Sequence, residues 1–335
     1  MQKPLISILT PFKNTSTFLT ECLDSILNQT YTNWELIIVD DHSADTSFEL
    51  VNDYAKKDNR IKLYKNPGSG IICALRFAFK QSRGDYITRM DSDDVMVDNK
   101  LDVLLKNLLN KGKGHVAIGL VKYFSAEGIS DGYSKYELWI NNLTIKGNNY
   151  SEIYKECVIP SPCWMTQRSD LIKCDAFNPD DYPEDYDLTF RMYKNKIKCI
   201  PCDTILHMWR DYSWRTSRTH LHYEQNYFLG IKTKYFIELD YNPKRPLVIW
   251  GAGFKGKTIA KYLIESGISF NWICDNPNKI GKKIYNQTLQ HFNYLSHLNQ
   301  PQSIVTVANT EAQKQIRSYL KVQNQTEMTD YFFFC

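Results

Sequence analysis

Long apolar runs are missing from this chain of 335 residues. A helix that crosses a bilayer takes about 20 predominantly apolar residues, and no uninterrupted run here approaches that. The opening stretch MQKPLISILT carries too short an apolar segment for a secretory leader. The expectation is a cytoplasmic protein, with peripheral attachment at the inner face of a membrane as a variant of it. Nine cysteines follow no framework spacing, so a disulfide scaffold is not expected. Cys199-Ile-Pro-Cys202 stands alone; a zinc site needs two further ligands at matching spacing, and no second pair occurs. There is no repeat array, no low-complexity tract and no long basic run. Residues 244–335 hold 11 Lys or Arg against 5 Asp or Glu, a net of +6, and residues 1–243 hold 30 against 32, a net of −2. That balance gives no reason to expect nucleic acid as a partner.

What the chain does have is a regular alternation. LISILTP (Leu5–Pro11) is β-rich, and FLTECLDSILNQ repeats its apolar residues at Phe18, Leu19, Cys22, Leu23, Ile26 and Leu27, which is helical spacing. WELIIVDD (Trp34–Asp41) reads as a strand buried on both faces. A polar helix near 45–57, the strand IKLYKN, a helix over about 70–82 and the strand YITRMD complete the first third. Strands alternating with helices predict an α/β fold, a parallel-rich sheet with helices on both faces. Ligands bind such sheets at the carboxyl ends of the strands. Asp40-Asp41 and Asp91-Ser92-Asp93-Asp94 both fall at such ends and are expected to face one cleft.

Three acids in four positions need an explanation. Like charges this close repel, so the cluster costs stability unless a cation or ligand compensates. A helix N-terminus would use one Asp. The region 112–240 is less regular and rich in aromatics, and Pro183 precedes a helical pattern carrying Leu188, Phe190 and Met192. Within 203–236, Trp209, Tyr212, Trp214, Tyr223, Tyr227 and Phe228 mix with Arg210, Arg215 and Arg218. Two readings stand open there: a packing segment with solvated arginines, or a surface for a membrane or an acceptor.

The stretches ISILTPFKN, CLDSILNQTYTNWELIIVDDHSADTS, GDYITRMDSDD and EDYDLTFR, in that order, resemble the family-2 glycosyltransferases of the GT-A fold over residues 3–220. The resemblance implies an inverting transfer of sugar from a UDP-sugar to a hydroxyl, on a carbohydrate or lipid-linked acceptor in surface glycan synthesis. It implies Mg²⁺ or Mn²⁺ at Asp93 and Asp94, which suits hard oxygen ligands beside a diphosphate. Thr10, Pro11, Asp41, Arg76 and Asp91 then fall to the donor nucleotide, Asp41 accepting from the uracil N–H. Arg76 sits in a loop that departs from the family's commoner form. Glu184-Asp185 matches the family's acid pair, with Asp185 as the base that takes the acceptor proton and Asp187 as its rival. Two residues beyond Arg210 the family often has a histidine; Tyr212 stands there instead, and His207 is the alternative third metal ligand.

The expected domains are 1–243, with a nucleotide half to about 110 and an acceptor half from 111, and 244–335, divided at YNPKRP (Tyr241–Pro246). The second opens with Gly251-Ala-Gly253-Phe-Lys-Gly256 after a strand and has Asp275 at the end of the next, the pattern of a Rossmann-like nucleotide site. Against the transferase reading stand a nicotinamide-dependent oxidoreductase built on that loop, and a binding protein that keeps the fold without the chemistry. Self-association is left open.

Overall fold

The structure is a computed structural model that describes residues 3–215 and 228–335. The chain divides into two compact units: Met1–Asn149 with Val158–Arg215, and Tyr150–Cys157 with Thr216–Cys335. The division therefore follows Arg215 rather than residue 243, and one short segment from the middle of the chain belongs with the C-terminal unit.

In the first unit β1 (Ile6–Phe12), α1 (Ser16–Leu27), β2 (Trp34–Asp40), α2 (Ser47–Lys57), β3 (Ile61–Lys65), α3 (Ile71–Gln81) and β4 (Tyr86–Arg89) match the expected alternation. Every residue of β2 is buried, as a strand covered on both faces requires. On α1 the buried residues Leu19, Cys22, Leu23 and Ile26 recur at helical spacing and pack on Ile6, Ile8, Phe12, Leu36 and Ile38. Then come β5 (Val95–Met96), α4 (Lys100–Lys111), β6 (His115–Phe124), α5 (Asp131–Lys146), β7 (Trp164–Gln167), α6 (Arg168–Lys173), α7 (Glu184–Lys194) and β8 (Lys198–Arg210). The region that looked irregular thus holds two of the longest strands.

The eight strands form one sheet in the order β3-β2-β1-β4-β7-β6-β8-β5. β1 to β4 are mutually parallel, β7 runs against its neighbours β4 and β6, and β6 and β8 are parallel. Phe12 pairs with Asp40, and Leu9 with Arg89, so β1, β2 and β4 end at the same edge. The two acidic clusters follow from that edge.

The second unit holds α8 (Leu229–Leu239), β9 (Leu247–Trp250), α9 (Phe254–Glu265), β10 (Asn271–Cys274), β11 (Lys283–Ile284), β12 (Gln287–His291), β13 (Gln302–Val305), α10 (Thr310–Val322) and β14 (Tyr331–Phe333). Its sheet order is β11-β12-β10-β9-β13-β14, parallel except for β11. The chain winds outward from β9 on one side and then on the other, the doubly wound pattern that puts its switch point beside β9. Among the described residues no helix is long and apolar enough to cross a membrane.

Candidate active site

β4 ends at Arg89, and the chain turns at once through Asp91-Ser92-Asp93-Asp94. The turn is fastened to the start of α1: Thr15 Oγ1 donates to Ser92 Oγ at 3.1 Å. Within it the three acids have separate surroundings. Asp94 is fully buried. Its Oδ1 accepts from the Arg210 amide at 2.8 Å, and its Oδ2 lies 2.8 Å from His207 Nε2. His207 Nδ1 lies 3.2 Å from Lys100 Nζ, which donates to the Pro162 carbonyl at 2.6 Å. Burial and the neighbouring ammonium hold His207 well below its ordinary pKa. The neutral ring therefore donates from Nε2 and accepts at Nδ1.

Asp94 has both oxygens in hydrogen bonds inside the protein, and His207 has both ring nitrogens engaged, so Asp93 is the more accessible of the candidate ligands. Asp94 and His207 form a buried brace from α4 through β8 to the acidic turn.

Asp93 is half-buried. Its Oδ2 accepts from Tyr212 Oη at 2.8 Å, and its carbonyl accepts from Arg210 Nε at 2.7 Å. Tyr212, which replaces the histidine usual in the family, is thus a hydrogen-bond donor to the acid, and its ring lies 4.7 Å from that of Phe18. Burial first and then the Asp94 charge raise the Asp93 pKa to about 6. Asp94 is pushed up to about 7, chiefly by burial. Arg215, itself buried, opposes both shifts and lies over Trp209 at 5.3 Å. So the arginines of the 203–236 stretch that can be described, Arg210 and Arg215, serve the acidic turn and are neither solvated nor spread over a surface. Trp214 is exposed; Arg218, Tyr223 and Tyr227 lie outside the described residues.

Among the described residues no group of three or more His, Cys, Asp or Glu gathers as a metal site. An oxygen-rich divalent site does not need one. Mg²⁺ is commonly held by one or two carboxylates, with substrate phosphates and water completing the shell. Asp93, half-exposed with one oxygen outside these bonds, fits that role.

At the end of β2, Asp41 Oδ1 accepts from Asn66 Nδ2 at 2.7 Å and the Gly70 amide at 2.9 Å, and Lys13 Nζ lies 3.6 Å from Oδ2. Asp41 so shapes the 66–70 loop that leads into α3. Asp40 accepts from the Ser43 amide at 3.0 Å and serves the turn. Pro11 is partly exposed, whereas Thr10 is fully buried and its hydroxyl has no partner. Alternation along the strand puts the Thr10 side chain on the face of Ile6, Ile8 and Phe12, under the helices, so only its backbone can meet a base. Arg76 donates to the carbonyls of Phe177 at 3.0 Å and Asn178 at 2.6 Å and pairs with Asp180. It staples α3 to the 177–180 loop, which accounts for its charge without a nucleotide.

Pro183 has no amide proton and stands at the N-cap, so α7 begins at Glu184. Glu184, Asp185 and Asp187 fill its first turn, where the helix dipole favours acids. Asp187 is buried and accepts from Arg191 Nε at 2.7 Å; Arg191 in turn donates to the Ala176 carbonyl at 2.8 Å. That makes Asp187 a structural anchor. Asp185 is partly exposed, and its Oδ1 accepts from the Tyr186 amide at 2.8 Å. Burial, then Glu184, raise its pKa to about 7 against the pull of Arg89. Arg89, Glu184 and Asp185 line a cleft with Ser161, Trp164 and Phe177.

Arg89 escaped the sequence reading. Its Nε donates to Asp91 Oδ1 at 2.9 Å and its Nη1 to Glu184 Oε1 at 2.8 Å. One signal was available: an arginine in a run that otherwise reads as a buried strand needs an acid partner.

In the second unit Gly251 follows β9 with φ +114°, a conformation open to glycine. A Cβ on Gly256 would meet the Gly251 carbonyl oxygen at 2.1 Å, which keeps α9 close to the strand; one on Gly253 would meet nothing within 4 Å. Asp275 is exposed beyond β10, and Lys279 Nζ donates to the Ala252 carbonyl at 2.9 Å.

Known proteins match this arrangement. Residues 7–174 match the model of glycosyl transferase family 2. An uncharacterized glycosyltransferase of Haemophilus influenzae is 42% identical over 110 residues, 32% of this chain and 44% of the relative. The UDP-Glc:alpha-D-GlcNAc-diphosphoundecaprenol beta-1,3-glucosyltransferase WfgD of Escherichia coli is 31% identical over 223 residues, 63% of this chain and 78% of the relative. The chain thus spans less than half the length of the first of these and most of the second. Among solved structures, S. aureus TarS 1-349 in complex with UDP-GlcNAc superposes with a TM-score of 0.54 at 17% identity, covering 77% of this chain and 71% of that one. The likeness in sequence and the strand-end acids agree: the chain belongs to glycosyl transferase family 2.

Proposed function

We propose that this protein transfers a sugar from a UDP-sugar to a hydroxyl of a carbohydrate or lipid-linked acceptor, with inversion, in surface glycan synthesis. The observation that carries the reading is the link from Asp91 to Glu184, beside Asp185, through Arg89 at 2.9 and 2.8 Å. Asp91 and Asp41 lie at strand ends suited to the ribose and the base. The acceptor oxygen attacks the anomeric carbon as the bond to the β-phosphate oxygen breaks. UDP leaves with the bonding electrons, and Asp185 takes the hydroxyl proton. A single displacement of this kind inverts the anomeric centre. Asp93 would hold a divalent cation, which when bound neutralises the departing diphosphate. The names of the relatives support the substrate classes, since WfgD acts with UDP-Glc and a diphospholipid acceptor.

The second unit supports a separate reading for itself, a Rossmann-like nucleotide site at Gly251, Gly253, Gly256 and Asp275, whose glycines have the geometry that close phosphate approach uses. It contributes no residue to the transfer.

The test is a screen of UDP-, GDP- and ADP-sugars for release of nucleotide and for product, with Mg²⁺ or Mn²⁺ and with excess chelator. UDP release that needs metal is expected. No release from any donor overturns the reading; full turnover in chelator removes the metal from it.

A further inference from the structure

Arg89 is 6% exposed and carries a charge that the chemistry above has not used. Its two partners come from different elements, Asp91 from the turn after β4, 2 positions along the chain, and Glu184 from the start of α7, 95 positions along. We propose that Arg89 is a positioning residue that ties the donor side of the site to the base side, one planar guanidinium holding Asp91 toward the nucleotide and Glu184 beneath Asp185. The inference rests on reading Asp91 as the donor contact and Asp185 as the base.

The chemistry favours arginine for this task. Its fork presents donors in fixed directions from one rigid plane, so a shift of either carboxylate is felt by the other. A lysine has one ammonium and reaches one partner well. Glu184 is itself buried, and a buried carboxylate stripped of its cation is strongly unfavourable. The charged groups that act on Asp185 are Glu184 beside it on α7, Arg89 from β4 and Asp91 from the turn that follows. Arg89 is the cation of these three. Its charge keeps Asp185 available as a proton acceptor near neutral pH, while its geometry fixes where Asp91 points.

Full-length Arg89→Gln, Arg89→Lys and Glu184→Gln separate this from a purely structural role. Two readouts are followed: UDP affinity by calorimetry and the acid limb of the kcat/KM profile, expected near pH 7 in the wild type because burial and Glu184 raise the Asp185 pKa to about 7. Loss of an opposite charge at this range moves a carboxyl pKa by about one unit or more, so Arg89→Gln should move the limb up by about that much. Glu184→Gln keeps an acceptor for Arg89 but removes a like charge beside Asp185, and should move the limb down by about one unit. Arg89→Lys should weaken UDP binding severalfold, through Asp91, which Arg89 holds at 2.9 Å. Folded variants with reduced turnover, an unmoved limb and wild-type UDP affinity would overturn the proposal. If both Arg89 variants fail to fold, Glu184→Gln alone decides by whether its limb moves. A wild type inactive with every donor is a different failure: it removes the transferase reading, and UDP affinity of Arg89→Lys still judges the tie.

Discussion

The turn after β4 and the turn after β9 occupy equivalent places, each at the carboxyl end of a strand in a parallel sheet, and they are built from opposite materials. After β4 the chain puts three carboxylates into partly or fully buried positions and surrounds them with Arg89, Lys100, Arg210 and Arg215. After β9 it puts glycines, and Asp275, just past the end of β10, is exposed. In the first turn the recognition elements are side chains, and the empty protein carries their repulsion. In the second the elements are backbone groups, and the constraint is steric. A mutation should therefore cost activity at one turn and folding at the other.

The largest expected effect is at Asp185. Asp185→Asn keeps shape and removes the proton acceptor, and a general base contributes a rate factor of about 10²–10⁴. Turnover should fall by that much while UDP affinity, measured by calorimetry, stays put. Asp187→Asn two residues on should act on stability, because it breaks the buried pair with Arg191. A stable, dead Asp187→Asn beside an active Asp185→Asn would transfer the base role.

Next in size is Gly256→Ala, whose new methyl meets the Gly251 carbonyl oxygen at 2.1 Å. Overpacking of this sort costs about 1–3 kcal/mol. Chemical denaturation should show that loss with kcat unchanged in the folded fraction; a drop in kcat would tie the second unit to the chemistry.

Asp93→Asn should show the opposite sign. The folded pKa of Asp93, about 6, is above the unfolded value of roughly 3.9. The stability that a raised pKa confers is present below the unfolded value and lost as pH rises through about 6. At pH 8 the charge opposes folding, so the metal-free Asn variant should be more stable there by about 1–2 kcal/mol and inactive. Equal melting points for the two proteins at pH 8 in chelator would show that Arg215 and Tyr212 already offset the charge. The smallest effect is at Asp41→Ala, which should weaken UDP about tenfold through a lost charge-assisted bond worth roughly 1.5 kcal/mol. Unchanged UDP affinity would leave Asp41 only its loop contacts with Asn66 and Gly70.

The alternation up to β4 was legible because its signals are local: a fully apolar strand such as Trp34–Asp40 and the helical spacing of Leu19, Cys22, Leu23 and Ile26. β8 was not, since its pattern mixes buried and exposed positions and includes Pro201, and its partner β6 begins 83 positions earlier. The motif positions of the site could be named, but not the work of each. The bond that sets Asp94 apart from Asp93 comes from His207, 113 positions away, and the one that sets Asp187 apart from Asp185 comes from Arg191. The inward side chain of Thr10 was legible too, because period two puts it with Ile6 and Ile8.

The eight residues Tyr150–Cys157 leave the first unit and return to it. In the second unit Tyr154 is almost fully buried; it stacks on Phe334 at 5.2 Å and donates to Asp240 at 2.5 Å. During synthesis this excursion emerges long before its partners, Phe236 and Asp240 coming first and Phe332 and Phe334 only with the end of the chain. The first unit can therefore close around its own sheet while a loop of it waits as bait for the C-terminus. A chain cut after Tyr241 would keep every proposed transfer residue and leave Tyr154 with Phe236 and Asp240 but without Phe332 and Phe334, so its failure would report stickiness before it reported chemistry. Shortening the loop across residues 150–157 in the same cut would remove the bait.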